Sequence, residues 1–146
     1  MKRREVKAFI ESGIKALSET AAFNTGKLDG FNSQPDKRYP FCWLDSIGVK
    51  SELTVNYMPV DDWEISIYIV KQDALGSAPE EYEEIIDQCD ELAQQLIYQL
   101  NNQISGYKLA TLKGITRTPF VKKLADCTTG VNLTLTLTAP DTTNNC

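Results

Sequence analysis

Near its C-terminal end the chain reads Val131-Asn132-Leu133-Thr134-Leu135-Thr136-Leu137-Thr138, a run in which apolar and polar residues alternate without exception. Because successive side chains of a β-strand point to opposite faces, this period of two predicts a strand with one apolar face. The other face is short and polar, and it carries no charge that would keep a neighbouring strand away. We therefore expect strand 131–138 to close the fold and to present a surface suited to solvent or to another protein.

The strongest helical pattern lies at residues 78–104, where apolar residues recur at spacings of three and four. Ser77 and Glu80 match a capping box before this stretch, and Pro79 fits the first turn of a helix. At 1.5 Å per residue such a helix would be roughly 40 Å long, enough to cross a small sheet. Its apolar stripe is expected to cover the apolar face of the C-terminal strand.

The N-terminal half predicts a helix, a loop and three strands. Residues 5–20 place their apolar members on one helical face. Residues 21–38, rich in Asn, Gly, Asp, Ser, Gln and Pro, predict a long loop, and the aromatic segment 39–47 predicts a short strand or a buried extended segment. A β-hairpin is predicted over 51–70, with residues 59–62 as its turn.

The C-terminal half predicts further strands around the long helix. Residues 107–112 and 115–121 indicate a second pair of extended segments, and Pro119 confines the second to an edge or a bulge. Residues 141–146 are polar and predict a frayed tail. Helices grouped on one face of a mostly antiparallel sheet make this an α+β fold, and 146 residues match a single domain, 1–146.

Charge is unevenly distributed along a chain whose formal net charge is −5. This net charge argues against a protein that binds duplex nucleic acid. Residues 80–91 hold seven acids, including Glu84, Asp87 and Glu91, whereas residues 107–123 hold five bases and no acid. Acids near a helix start are most simply a solvated face matched to the helix dipole, and a docking face for a basic partner is the alternative.

The basic segment 107–123 has three interpretations. It could contact nucleic acid, or its lysines could protect an exposed strand edge from unwanted pairing. The interpretation that we favour is complementarity between copies of the chain, because an acidic and a basic surface on one molecule allow head-to-tail docking into a ring.

The sequence predicts no membrane, metal, cofactor or catalytic site. No window approaches the ~18 apolar residues of a membrane span, and no signal-peptide core follows the basic N-terminus, so we expect a protein made in a cytoplasm. The four cysteines are scattered and the chain has no histidine, which predicts free thiols, two or three of them buried, and no zinc site. Without histidine there is no Ser-His or Cys-His pair, and nucleotide-binding and hydrolase motifs are absent, so we do not expect an enzyme.

The layout of the chain resembles that of virion proteins of tailed bacteriophages. An N-terminal helix, an aromatic segment, hairpin 51–70, the long helix 78–104 and closing strands are similar to the tail-terminator and head-to-tail joining proteins over nearly the whole chain. The ending Asp126-Cys127-Thr128-Thr129-Gly130-Val131-Asn132-Leu133-Thr134-Leu135 also looks like the C-terminal strand of short neck or tail proteins, including ring-shaped neck components of the crAss-like group.

The resemblance implies a structural protein that forms a closed ring of six or twelve copies in the virion. Such a ring, assembled in the host cytoplasm, would connect portal and tail, contact neighbouring neck, portal or tail proteins, and line the DNA passage. The contact regions that we expect are strand 131–138, hairpin 51–70 and loop 21–38. The individual residues predicted at these interfaces are Asn132, Thr134, Thr136, Thr138, Trp63, Tyr57, Lys113, Arg117, Glu84, Asp87 and Glu91. The alternative is a small nucleic-acid-associated or regulatory binding domain that uses segment 107–123.

Overall fold

A computed structural model of the chain describes residues 2–17, 22–25, 40–45, 47–53, 59–72, 79–104, 111–124 and 128–140. Its helices and strands are, in chain order, α1 (Arg3–Lys15), β1 (Ala22–Thr25), β2 (Phe41–Leu44), β3 (Gly48–Leu53), β4 (Pro59–Gln72), α2 (Pro79–Ile104), β5 (Thr111–Leu124) and β6 (Thr128–Pro140). Both helices pack on the same apolar sheet face, so the predicted α+β class is confirmed.

The described strands form one six-stranded sheet in the order β1-β2-β4-β6-β5, and β3 also pairs with β4. Strands β2 to β6 are joined by antiparallel pairs, whereas β1 is parallel to β2. Strand β1 corrects the sequence prediction, because it lies inside the segment 21–38 that was predicted to be a loop. Its four residues are too few to show a period, and the rest of that loop, like the tail 141–146, lies outside the described residues.

Strands β4 and β6 form the centre of the sheet, paired from Val60 with Pro140 to Gln72 with Thr128. The predicted C-terminal strand is therefore confirmed, although it extends beyond 131–138 at both ends. It has a neighbour on each side, β4 and β5, so its backbone groups are used within the sheet. Only its side chains can contact a partner.

Strands β2 and β3 run along the same edge of β4. Leu44 lies opposite Ile67 and Gly48 lies opposite Glu64, so the β2–β3 side contains one residue more than β4 over this interval. One extra residue in one strand of a pair is a β-bulge. Strands β2 and β3 therefore pair with the same edge of β4 in registers that differ by one residue.

The predicted hairpin is present, but its turn was misplaced. Leu53 pairs with Pro59, so residues 59–62 belong to β4 and the connection is formed by residues 54–58. Two adjacent aspartates favour a turn by propensity. Here each carboxylate accepts a hydrogen bond from a hydroxyl of a neighbouring strand, Asp61 from Ser51 at 2.6 Å and Asp62 from Thr138 at 2.6 Å.

The described parts of the two extended segments predicted around residues 113 and 114 form one strand, β5, with an irregularity in the middle, and residues 107–110 lie outside the described residues. Gly114 has a φ of 62°, a conformation that glycine adopts without steric cost, and it lies where the register with β6 shifts. Strand β5 ends the sheet, so the prediction that Pro119 lies on an edge strand is confirmed.

The main core lies between the helices and the sheet. Leu133, Leu135 and Leu137 of β6 are buried there, and so are Leu96 and Leu100 of α2. Helix α1 ends at Lys15 and not at residue 20 as predicted. It approaches α2 through Gly13, since a Cβ at this position would lie 2.6 Å from Leu100 Cδ2.

A smaller aromatic cluster lies on the opposite face of the sheet. Phe41 and Trp43 stack with ring centroids 6.2 Å apart, and Tyr68 meets Phe120 edge-on at 5.8 Å. Val70 is buried with them. Within the described residues, neither helix has the length and apolarity needed to cross a membrane.

Candidate functional site

The face of the sheet turned away from the helices carries a continuous array of polar side chains. The strand register places side chains of β4, β6 and β5 side by side there, because directly opposed residues share a face. We call this array the hydroxyl face. Its members are Asp62, Glu64, Ser66, Asn132, Thr134, Thr136, Thr138, Thr111, Lys113, Thr116 and Thr118.

The hydroxyl face contains an open depression of about 460 Å³. Thr134, Thr136 and Ser66 contribute to its lining, and Gly48 and Gly114 lie in strands β3 and β5 on either side. Two glycines flanking two interior strands leave room above them, because neither glycine projects a side chain. The hydroxyl groups of β6 therefore lie in a shallow hollow that a side chain of another molecule could enter.

The charged side chains of the hydroxyl face form ion pairs. Lys113 Nζ lies 3.5 Å from Asp62 Oδ2, and Lys50 Nζ of β3 lies 3.2 Å from Glu64 Oε1. Both lysines are more than half exposed, so each pair contributes little to stability. In the strand register Thr136 lies between Glu64 and Lys113, and Glu64 contributes to the lining of the depression, so paired charges flank the two threonines.

Only some of the polar groups in the interior of the hydroxyl face form hydrogen bonds within the molecule. Asn132 Nδ2 donates to Ser66 Oγ at 3.2 Å, and Thr138 Oγ1 donates to Asp62 Oδ1 at 2.6 Å. The hydroxyls of Thr134 and Thr136 have no hydrogen-bond partner among the described residues. These two groups remain able to donate to and accept from a partner.

The structure brings together five of the predicted interface residues, Asn132, Thr134, Thr136, Thr138 and Lys113, on the hydroxyl face. Tyr57 lies outside the described residues. Arg117 points to the other side of the sheet, where its Nη1 lies 3.2 Å from Asp90 Oδ2 of α2.

The buried position of Trp63 corrects the prediction that this residue contacts a partner. Its side chain lies on the helix-facing side of β4, and the residue is 5% exposed. The Arg3 guanidinium lies 5.7 Å from the centroid of its ring. The alternation of side chains along β4 requires this placement, because Ile65 and Ile67 face the same core. Trp63 is therefore a core residue.

Glu84, Asp87 and Glu91 are exposed on α2. Helix α2 belongs to the layer that covers the opposite side of the sheet, so these acids do not join the hydroxyl face. The predicted interface residues therefore occupy two separate surfaces and, in the case of Trp63, the core.

Sequence reasoning missed the β4 members of the hydroxyl face. Asp62, Glu64 and Ser66 alternate with Trp63 and the isoleucines that follow, so the period of two was available to find them. Their position beside the threonines depends on the register of β4 with β6, which the sequence of either strand alone does not contain. The depression was missed for the same reason.

Two cysteines are described, and both are buried free thiols, as predicted. Burial raises the pKa of the Cys89 thiol to about 12, and the nearby Lys71 ammonium opposes this increase only in part. Cys89 therefore stays protonated at neutral pH and is a poor nucleophile. No three Cys, Asp or Glu side chains of the described ranges are grouped so that they could hold a metal ion.

The chain matches no known protein family and no curated protein. Its function is therefore inferred from the hydroxyl face and from the charges of the helix layer. The face offers hydrogen-bonding groups over several neighbouring strands, an arrangement that suits the recognition of a broad protein surface.

Proposed function

We propose that this protein is a structural component of a bacteriophage virion that forms a ring in the neck or tail, as a tail terminator or a head-to-tail joining protein. The observation that carries the proposal is the hydroxyl face. It is a broad, charge-balanced sheet surface with an open hollow and two threonine hydroxyls available for a partner.

The distribution of charge supports contact with another protein. Cores of protein interfaces are depleted in charged residues, because a charge that loses its water must be compensated. On the hydroxyl face Thr134 and Thr136 carry no charge, and the charged neighbours of Thr136 are compensated by the Lys113–Asp62 and Lys50–Glu64 pairs. Such a surface can be desolvated at its centre while its ion pairs stay in contact with water.

The layout of the chain supports the assignment to the neck or tail. The α+β arrangement, with two helices on one side of a mostly antiparallel sheet, agrees with the layout on which the resemblance to phage tail-terminator and joining proteins depends. In this proposal the partners are other copies of the chain and neighbouring neck, portal or tail proteins. DNA passes through the ring without sequence-specific contacts.

The double substitution Thr134→Lys/Thr136→Lys tests this proposal. It places two charges in the centre of the hydroxyl face, and burying them at an interface would cost several kcal/mol. We expect the wild-type protein to form rings visible by negative-stain microscopy and the variant to remain monomeric by light scattering. Its far-UV circular dichroism should be unchanged, because both positions face outward.

Gln94→Lys/Asn101→Lys provides the matched control, since it adds the same charge at exposed positions of α2. This control should assemble as the wild type does. Rings formed equally well by the Thr134→Lys/Thr136→Lys variant would contradict the proposal, and so would the absence of the protein from purified phage particles. A gel-shift titration over salt examines the nucleic-acid alternative, which requires a steep loss of affinity as salt rises.

A further inference from the structure

The helix layer carries opposite charges at its two ends. We call residues 2–7, at the start of α1, the basic end; they hold four bases and one acid. We call residues 80–87, at the start of α2, the acidic end. It holds five acids and no base, and all five are exposed.

Contacts with β4 show how far apart the two ends lie. Arg3 of the basic end lies over the ring of Trp63, and Lys71 Nζ donates to Gln88 Oε1 of α2 at 2.6 Å. Trp63 and Lys71 are eight residues apart in one strand, a distance of roughly 26 Å at 3.3 Å per residue.

The acidic end lies farther from the basic end than the contact between Lys71 and Gln88 does. Gln103 Nε2 donates to Ser12 Oγ at 3.3 Å, so the C-terminal part of α2 lies beside α1. Residues 80–87 precede Gln88 in α2 and lie on its far side from that contact. The two ends therefore cannot neutralise each other within one molecule.

The bases of the basic end are not accounted for by the stability of the fold. Cations in the first turn of a helix oppose the helix dipole, at a cost of about 0.3–1 kcal/mol each. Arg3 has a structural role, because it donates to the carbonyl oxygen of Ile47 and covers Trp63. Arg4 and Lys7 are exposed, and neither forms an ion pair with another described residue.

No acid of the acidic end forms an ion pair with a described base; Lys71 lies nearby and reaches Glu84 only through Gln88, which donates to Glu84 Oε1 at 3.4 Å. Helix α2 contains no Lys or Arg, and within the described part of the chain its ion pair with Arg117 uses Asp90, outside the acidic end. The helix dipole favours acids in the first turn, which explains Glu80 and Glu81 but not Asp87 two turns later. Five exposed acids therefore face solvent at this end without an ion pair to a described base.

We propose that the acidic end of one copy docks on the basic end of the next copy, so that the chains associate head to tail. This inference rests on the proposed ring and names the charged surfaces that hold it together. In this inference the basic surface that contacts the acidic end is the start of α1 and not segment 107–123. In that segment Lys113 is paired with Asp62, and Arg117 is paired with Asp90. A heterologous contact of this kind produces a ring when the rotation between copies closes.

Charge reversal at each end provides the test. Arg4→Glu/Lys7→Glu leaves three acids and two bases at the basic end, so both ends of that chain are acidic, and Glu80→Lys/Glu83→Lys/Glu84→Lys leaves three bases and two acids at the acidic end, so both ends of that chain are basic. We expect each variant alone to lose assembly by analytical ultracentrifugation at low ionic strength. An equimolar mixture should assemble again with the two variants alternating, because every junction then joins opposite charges. Assembly of the wild type should weaken as salt increases.

Two controls accompany the reversals. Arg4→Lys/Lys7→Arg keeps both charges and should assemble normally. Lys15→Glu changes an exposed base at the other end of α1, where its partner is Glu11, and should also leave assembly intact.

The inference is overturned if either reversed variant assembles as the wild type does, if the mixture does not recover, or if the wild type stays monomeric at low salt. It is also overturned if Arg4→Glu/Lys7→Glu assembles normally but loses retention of duplex DNA, since the basic end then serves nucleic acid. Rings that tolerate both reversals would leave the proposed virion function standing. Absence of the protein from particles would remove that function whatever the reversals show.

Discussion

Gly130 occupies a position in β6 where the backbone of β4 leaves no room for a side chain. A Cβ there would overlap the carbonyl oxygen of Ile69 and lie 2.9 Å from Val70 Cα. These are backbone atoms of a central strand, so they cannot move aside as a flexible side chain could.

We predict that Gly130→Ala lowers the free energy of unfolding by about 3 kcal/mol or more, measured by urea denaturation. Gly48→Ala is the matched control in a neighbouring part of the sheet, where the nearest atom to an added Cβ is 3.7 Å away. The control should change stability by less than about 0.5 kcal/mol. A Gly130→Ala protein as stable as the control would show that β4 and β6 do not approach each other this closely.

Cys89 predicts a dependence of stability on alkaline pH. Burial raises the pKa of its thiol from 9.0 to about 12, so the folded protein keeps a proton that the unfolded chain loses. The contribution of the buried thiol is complete below about pH 9 and is lost as the pH rises toward 12.

The comparison that isolates this effect is between wild type and Cys89→Ala, unfolded in urea at a series of pH values. We expect the wild type to lose stability faster than the variant above about pH 9, because only the wild type carries the titrating thiol. Parallel curves for the two proteins would mean that the thiol ionises alike in the folded and unfolded chains.

Among the elements, those with a long unbroken period could be predicted from sequence. The alternation in β6 and the apolar stripe of α2 each extend over many residues. Only one type of secondary structure can bury all the apolar residues of such a pattern on a single face. The uncharged half of the candidate site followed from the same alternation, since Thr134 and Thr136 must lie opposite the leucines.

The elements that were misjudged depend on partners far away in sequence. Asp61 and Asp62 belong to a strand because hydroxyls of Ser51 and Thr138 reach their carboxylates. Residues 111–124 form one strand because Gly114 absorbs the irregularity without ending the pairing with β6. Neither fact is contained in the local sequence, and the same holds for Trp63, whose burial depends on which side of the sheet the helices occupy.

On the scale of the whole molecule, the described residues form two apolar clusters on opposite sides of one sheet, and each contains a tryptophan. Trp63 lies in the main core beneath the helices, and Trp43 lies in the aromatic cluster on the other face. If residues 1–146 form a single cooperative domain, both clusters must be lost in one transition.

Trp43→Phe and Trp63→Phe each leave a single tryptophan that reports on one cluster. We predict that, for each variant, the urea midpoint from fluorescence coincides with the midpoint from far-UV circular dichroism. The indole N–H of Trp63 has no hydrogen-bond partner among the residues described, so its replacement by phenylalanine sacrifices no bond. A fluorescence transition of Trp43 at lower urea would reveal an aromatic cluster that unfolds separately.

The pairing of β4 with β6 also has a consequence for synthesis on the ribosome. Ile67 pairs with Leu133, so the central strand is translated on the order of 65 residues before its main partner. At about 5–20 residues per second, the nascent chain exposes the isoleucines of β4 for several seconds before β6 exists. Helix α2 is translated in that interval and can shield the isoleucines. We therefore expect the long helix to reduce aggregation of the growing chain before it contributes to the finished core.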